Sequence, residues 1–557
     1  MDTSVKGHIV DPVSERIFDG ILHIHDGKIS NIEALEGSAS GEDDGMPYIM
    51  PGFVDSHMHI ESTLLLPENF AKLAVSHGTV AVATDPHEIT NVLGREGIRF
   101  MLDNAAKVKF HFNFGIPSCV PSTCFETAGA TITSEDVKEM VQSDDFYGLA
   151  EMMNYPGVLN GDPEVMAKIK YTLEAGKVVD GHAPDLVGDV ARRYIDAGIS
   201  TDHEVYSYEY AQERVQMGMK IQIREGSAAR NFETLKLLLT KREFKDRLMV
   251  CTDDIYPDEL QEGYINLIAA RATAAGIPVW HILNAASLVP VRHYGMDVGL
   301  LQEGDSADFI LVEDLKDFKV IQTWIRGELV FDGGKLDIYK EGQSPALPGP
   351  DFPNKFFAKP LKEDDIQVKA AGSRMKVMIA TEGSLYTEMM EVEPRVIDGM
   401  AVSDPERDIL KLVVYNRYCE ARPAVAFISG FGLKEGAMAS TIAHDSHNII
   451  ALGIDDASII DAINTLVDSK GGLCIVGGTG KKTLALPVAG LMSPEEGPVV
   501  GNAHKELKAM AAAQGCRFAA PFMTLAFMAL PVIPELKLTD LGLFDGICFR
   551  FTDLFMD

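Results

Sequence analysis

The stretch Gly52-Phe53-Val54-Asp55-Ser56-His57-Met58-His59 decides how the rest of the chain is read. An apolar run, Tyr48-Ile49-Met50, leads into it, and a helical pattern follows from Pro67. Alternate side chains of a strand point to one side, so His57 and His59 are expected to face together. Two neutral imidazoles so placed can share a metal ion such as Zn, Fe, Cu or Ni. The plainer alternative is a pair of polar residues at a strand end. Recurrence further along the chain separates the two.

Outward from that stretch, strand-like runs at 48–59, 79–85, 108–116, 146–152, 178–182, 199–203, 220–225 and 247–253 alternate with helical periodicity. The helical stretches include 67–76, 91–107, 134–142, 163–175, 187–197 and 231–240. Strands separated by helices imply parallel βα units. Eight units within about 230 residues predict an α/β chain built on a (β/α)8 TIM-like barrel, a fold of roughly 250 residues. Short strands on both flanks are expected to form a small β-sandwich domain, with residues 1–47 and 298–345 contributing to it around a barrel at 48–297. The tract from Glu36 to Gly45 reads as an exposed loop. A Pro, Gly and Lys-rich linker at 346–364 precedes a separate C-terminal α/β or α+β domain at 365–557.

A chain of 557 residues is long enough for two or more cores. Its 46% hydrophobic and 24% charged content is ordinary for a soluble globular enzyme. The net charge of −32 argues against a nucleic-acid partner, which would require clustered Lys and Arg. Seven scattered cysteines form no CxxC pair, the first residues show no apolar signal region, and no apolar run is long enough to span a bilayer. A cytoplasmic protein with no membrane partner is expected.

Side chains at the C-terminal ends of barrel strands converge on one open face. Those ends carry His57 and His59, Glu151, His182, His203 with Glu204, and Asp253 with Asp254. The four histidines with Glu151 and one of the two aspartates, all nitrogen and oxygen donors, suit a pair of divalent metals bridged by a carboxylate and a hydroxide.

With these residues in view, the HxH, Gly181-His182-Ala183, Asp202-His203-Glu204 and Thr252-Asp253-Asp254 motifs resemble the amidohydrolase superfamily. More narrowly, the chain is similar to the bacterial and archaeal adenine deaminase family through its whole length. The stretches that carry this are Asp55-Ser56-His57-Met58-His59-Ile60-Glu61-Ser62, Thr84-Asp85-Pro86-His87-Glu88-Ile89, Ala150-Glu151-Met152-Met153-Asn154 and Ile223-Arg224-Glu225-Gly226-Ser227. Residues 146–154 hold no Lys, so Glu151 stands where many relatives use a carbamylated Lys.

The resemblance implies hydrolytic deamination, with adenine and water giving hypoxanthine and ammonia through a metal-activated hydroxide. It implies a divalent, binuclear centre on His57, His59, Glu151, His182, His203 and Asp253, with Mn2+ or Fe2+ favoured and Zn2+ compatible. Asp253 is chosen over Asp254 as ligand and takes the proton of the nucleophile. Glu204 is expected to protonate the ring nitrogen, a role needing a raised pKa. Asp85, His87 and Glu88 are expected to orient substrate or shuttle protons, with support of the metal site as the alternative. Ser227 is a candidate for the purine pocket, or a turn residue. A homo-oligomer is expected.

Three signals are discounted or left open. His59-Ile60-Glu61 has no P-C-x-x-C behind it, which rejects the zinc nucleic-acid deaminases. Gly477 to Lys482 lacks phosphate-loop spacing and reads as a Gly-rich turn. Ala443-His444-Asp445-Ser446-His447-Asn448 would cap the barrel mouth, bind an extra metal, or form a polar turn of its own domain. The rival functions are another amidohydrolase acting on a different aminopurine or cyclic amide, and a non-catalytic barrel serving as a binding protein.

Overall fold

The computed structural model describes residues 2–35, 45–184, 186–346, 352–478 and 480–556. Most of the acidic loop tract, part of the linker and Thr479 of the Gly-rich turn therefore lie outside the described residues.

Eight parallel strands position the site. They are β1 (Phe53–Met58), β2 (Thr79–Thr84), β3 (His111–Ile116), β4 (Phe146–Met152), β5 (Val178–Gly181), β6 (Thr201–Asp202), β7 (Lys220–Arg224) and β8 (Leu248–Cys251). β1 to β5 form one parallel sheet and β6 to β8 another, each in chain order. The second continues the first through Ser200, whose N–H donates to Val179 O at 2.9 Å. The sheet curls until its last strand meets its first. Asp253 N donates to His57 O at 2.9 Å and His59 N to Asp253 O at 3.0 Å. β1 and β2 are buried along their whole length, as expected of parallel strands covered on both faces.

The continuous run expected at 48–59 is two strands. Tyr48–Pro51 belongs to a flanking sheet and β1 starts at Phe53. Gly52 makes the break, because a Cβ there would lie 2.3 Å from Val80 Cγ1. β1 also stops at Met58, so His59 caps a 3-10 turn (Ile60–Thr63) rather than continuing the strand. The single helix expected over 91–107 is likewise two, His87–Leu93 and Arg95–Ala105, divided at Gly94 with φ 65°.

Tyr48–Pro51 pairs in parallel with Thr3–Asp11 and antiparallel with Phe309–Val312. Strands from both flanks thereby join in one eight-stranded sheet. Ile9, Leu22, Ile49, Phe309 and Trp324 pack at its core. The C-terminal part holds a nine-stranded sheet that includes Leu410–Tyr415, Ile449–Gly453 and Gly472–Gly477. Two helices, Asp456–Ser469 and Gly497–Ala513, accompany that sheet. Among the described residues no helix is long and apolar enough to cross a membrane.

Candidate metal centre

The HxH segment is pinned from below by Asp55. Its carboxylate accepts from Thr252 Oγ1 at 2.5 Å, Tyr264 OH at 2.7 Å and His57 N at 3.1 Å. These bonds fix the end of β1 against the end of β8. Burial pushes the Asp55 carboxyl up to about 7 even against those donors.

Five imidazoles surround Glu151, at the end of β4. Oε1 lies 3.2 Å from His59 Nε2, 3.6 Å from His87 Nδ1 and 3.8 Å from His57 Nε2. Oε2 lies 3.0 Å from His182 Nδ1 and 3.3 Å from His203 Nε2. Asp253 Oδ1 approaches His59 Nε2 at 3.0 Å and His57 Nε2 at 3.6 Å. Asp254 also lines the central cavity, with its Oδ1 accepting from Ser62 Oγ at 2.5 Å. Asp253 holds φ 59°, a left-handed backbone in which a side chain other than Gly is strained.

The cluster fits divalent ions. His57 Nε2 and His203 Nδ1 are buried without a hydrogen-bond partner among the described residues. His59 Nδ1 donates to Asp85 O at 3.0 Å, which leaves Nε2 free for a ligand role. His57, His59 and Asp253 form one group able to hold an ion, and His57, Glu151 and His203 another. These share His57 and lack any thiolate. Burial alone would raise the Glu151 carboxyl, yet His182, His203 and His59 hold it well below the usual range. Burial is opposed in the same way at Asp253, where Arg224, His57 and His59 hold the carboxyl low.

Arg224, at the end of β7, received no role from the sequence. It is 1% exposed. Nη1 donates to Glu204 Oε1 at 2.6 Å and also to Asp253 Oδ2, and Nη2 donates to Tyr206 OH at 2.6 Å. One guanidinium thus ties together the two acids expected to move protons. Its signal was an Arg closing a short strand whose Ile221 and Ile223 are apolar, a position that requires buried partners.

The remaining candidates divide. His87 Nδ1 lies 3.0 Å from Asp85 Oδ2, and although burial would lower its pKa, Asp85 and Glu88 hold it well above the ordinary value. Glu88 faces the C-terminal part, with Oε1 2.8 Å from His444 Nδ1 and Oε2 bonded to His447 Nε2. His444 and His447 thereby reach the barrel mouth. Ser227 Oγ accepts from Tyr256 N at 2.9 Å, a bond that ties the loop after β7 to the loop after β8, and Ser227 is not among the residues lining the central cavity. That cavity, about 30 Å³, is walled by His59, Glu151, Glu204 and Asp253 on one side and by Asp445 and Phe527 on the other.

Fold and site together define a metal-dependent amidohydrolase, and residues 48–330 match the amidohydrolase family model. Residues 384–550 match the model of the adenine deaminase C-terminal domain. The chain is 46% identical to an adenine deaminase of Methanosarcina mazei, over 99% of each chain. It is also 46% identical to an adenine deaminase of Salinibacter ruber, over 100% of this chain and 99% of the other. It belongs to the adenine deaminase family. Among solved structures, a beta-aspartyl dipeptidase from Fervidobacterium islandicum AW-1 is matched with a TM-score of 0.46 and 16% identity, over 60% of this chain and 99% of that one.

Proposed function

We propose that the chain deaminates adenine hydrolytically at the centre around Glu151, on a (β/α)8 barrel closed by β8 against β1. The barrel would occupy 48–297, with the flanking sheet from 1–47 and 298–345 and the C-terminal domain from 365 onward. The observation that carries the reading is the convergence of five imidazoles on one buried carboxylate in a chain of this family. His57, His59, Glu151, His182, His203 and Asp253 would hold the divalent pair. Imidazole and carboxylate donors accept Mn2+, Fe2+ or Zn2+, and the family favours the first two. When bound, the ions supply Lewis acidity that lowers the pKa of water near them.

The chain's own residues then handle protons. Asp253 takes one from the water that adds to the ring carbon bearing the amino group. Glu204 delivers one to the adjacent ring nitrogen, which lets electrons leave the ring carbon's double bond. Asp253 returns its proton to the amino group, which departs as ammonia, and the remaining hydroxyl proton passes to Glu204, which restores that acid and leaves the carbonyl of hypoxanthine. Arg224 keeps both acids in register through the same guanidinium nitrogen. His87, bonded to Asp85, offers a route for protons between the centre and Glu88. We place the reaction in the cytoplasm, where the free thiols of all seven cysteines would stay reduced.

A spectrophotometric assay following adenine loss and hypoxanthine formation tests the reading, on protein loaded with Mn2+ and again after chelation. Turnover that disappears on chelation and returns with metal is expected. Folded, metal-loaded protein that ignores adenine would transfer the site to another aminopurine or a cyclic amide.

A further inference from the structure

A second cavity, of about 200 Å³, adjoins the metal centre and shares His182, Glu204, Leu385 and Ile533 with the first. Its volume lies below the roughly 300–1,000 Å³ typical of sites for drug-sized ligands, which suits a ligand the size of a bare heterocycle. One wall comes from the barrel, with Pro184 and Tyr206. The other comes from the C-terminal domain, with Leu385 and Ile533. Its ionisable groups at the inner end, His182 and Glu204, are shared with the centre, and Ser384 adds a hydroxyl to the outer lining. A slot with apolar walls and a polar inner end is the shape a flat heteroaromatic base requires, since the faces of such a ring want apolar contact and its nitrogens want donors and acceptors.

The C-terminal wall is built to stay in place. Lys537 is fully buried, and its Nζ donates to Leu385 O at 2.8 Å and to Phe527 O at 2.9 Å. Thr387 N donates to Pro534 O at 3.1 Å, Glu535 N returns a bond to Thr387 O at 3.1 Å, and Thr387 Oγ1 donates to Leu536 O at 2.7 Å. The segments carrying Leu385 and Ile533 are thus laced to each other and to one buried lysine. The opposite wall is fixed as well, because Tyr206 OH accepts from Arg224. Both walls are set before any ligand arrives, so little ordering remains to be done on binding.

We propose that the C-terminal domain supplies half of the substrate site, with Leu385 and Ile533 facing Tyr206 across a slot that holds the base and excludes purines enlarged at the imidazole ring. This deepens the adenine reading and rests on it. Leu385 and Ile533 are specificity-determining residues, since they offer the base apolar contact and no proton or charge to the reaction.

The test uses full-length, metal-loaded protein and two changes of opposite sense. Leu385→Trp fills the slot, and calorimetric affinity for hypoxanthine and kcat/KM for adenine should both fall roughly a hundredfold through steric exclusion. Metal content and melting temperature should stay near those of the parent. Leu385→Ala with Ile533→Ala widens the slot. KM for adenine should rise roughly tenfold from lost pocket contact, with a smaller change in kcat, while turnover of 9-methyladenine relative to adenine increases. If Leu385→Trp does not fold, Tyr206→Ala, at a position 37% exposed, removes the other wall and should weaken hypoxanthine binding by a similar tenfold. A parent protein that binds hypoxanthine yet ignores adenine would cost the reaction and keep the slot. A parent that deaminates adenine while Leu385→Trp binds and turns over as well as it does would keep the reaction and overturn the slot.

Discussion

Glu151, at the end of β4, has five imidazole nitrogens within 3.8 Å. Glu88, in the helix after β2, bonds His444 with one oxygen and His447 with the other. Both carboxylates are nearly sealed from solvent, at 3% and 2% exposed. Residue type therefore does not tell the two clusters apart, but the ratio of rings to oxygens does. Glu88 meets three rings, with His444 and His87 at 2.8 and 3.5 Å from Oε1 and His447 bonded to Oε2, against the five around Glu151. Burial would raise its carboxyl, yet His444, His447 and His87 hold it well below the usual range. At Glu151 five rings cannot all be charged without repelling one another, and His57 Nε2 is left with no hydrogen-bond partner among the described residues. Divalent cations would resolve that crowding. Both clusters are donor sets able to hold an ion; the first is the more crowded, and the second also ties the helix after β2 to the C-terminal part, where we expect it to act as a latch.

The strongest way to break this contrast is Glu151→Gln. Losing the shared carboxylate should release metal and remove several kcal/mol of transition-state stabilisation, a fall in kcat/KM of roughly 10⁴-fold. Metal analysis beside steady-state kinetics checks it, and retention of two ions per chain with full activity would put Glu151 in the same category as Glu88. Glu204→Gln comes next. It should cost roughly 10³-fold in kcat, within the span of general acid–base catalysis, while metal content is unchanged. A fall in metal content instead would make Glu204 a ligand. His447→Ala attacks the other cluster and should lower unfolding free energy by about 3 kcal/mol, the upper end for a hydrogen bond to a charged group. Denaturant unfolding reads this directly. Metal content should not move, and a loss of ions there would erase the distinction.

The first cluster was legible in the sequence, and the second only in part, since capping of the barrel mouth by His444 and His447 was one reading while their pairing with Glu88 was not. His57, His59, Glu151, His182, His203 and Asp253 each stand where an apolar run meets a loop, so local pattern and barrel geometry suffice to bring them to one mouth. The Glu88–His447 bond joins residues 359 positions apart, and no local periodicity encodes such a contact. Arg224 escaped because a search for metal donors passes over a guanidinium, although a charge closing a buried strand was itself a signal. Leu385 and Ile533 read as ordinary core residues, since a pocket wall and a core interior share the same side chains. The break at Gly52 was also hidden. It depends on the approach of Val80, from the neighbouring strand, and not on the run that contains the glycine.

Asp258 offers the smallest effect and the finest test of the ratio argument. It lies in the helix Pro257–Glu262 and meets the C-terminal helix Gly497–Ala513. Its Oδ1 lies 2.7 Å from His504 Nδ1 and its Oδ2 accepts from Lys508 Nζ at 2.9 Å, with Glu259 also 3.7 Å from Lys508. Here each oxygen has one partner, fewer than at Glu88, so this contact should behave as a latch closed by protons and not as a metal site. Burial would raise the carboxyl, but His504 and Lys508 bring it down to about 2 from an ordinary 3.8. The native state therefore favours the ionised form, and its stabilisation is complete above the unfolded pKa and disappears as pH falls through the folded one. Each tenfold gain in acidity is worth about 1.4 kcal/mol, and with partial screening by solvent the contribution comes to about 2 kcal/mol. Asp258→Asn should lose that amount at pH 7 by denaturant unfolding, and its deficit against the parent should shrink as pH falls below about 4. A deficit that stays constant down the acid range would show that Asp258 acts through packing and not through charge.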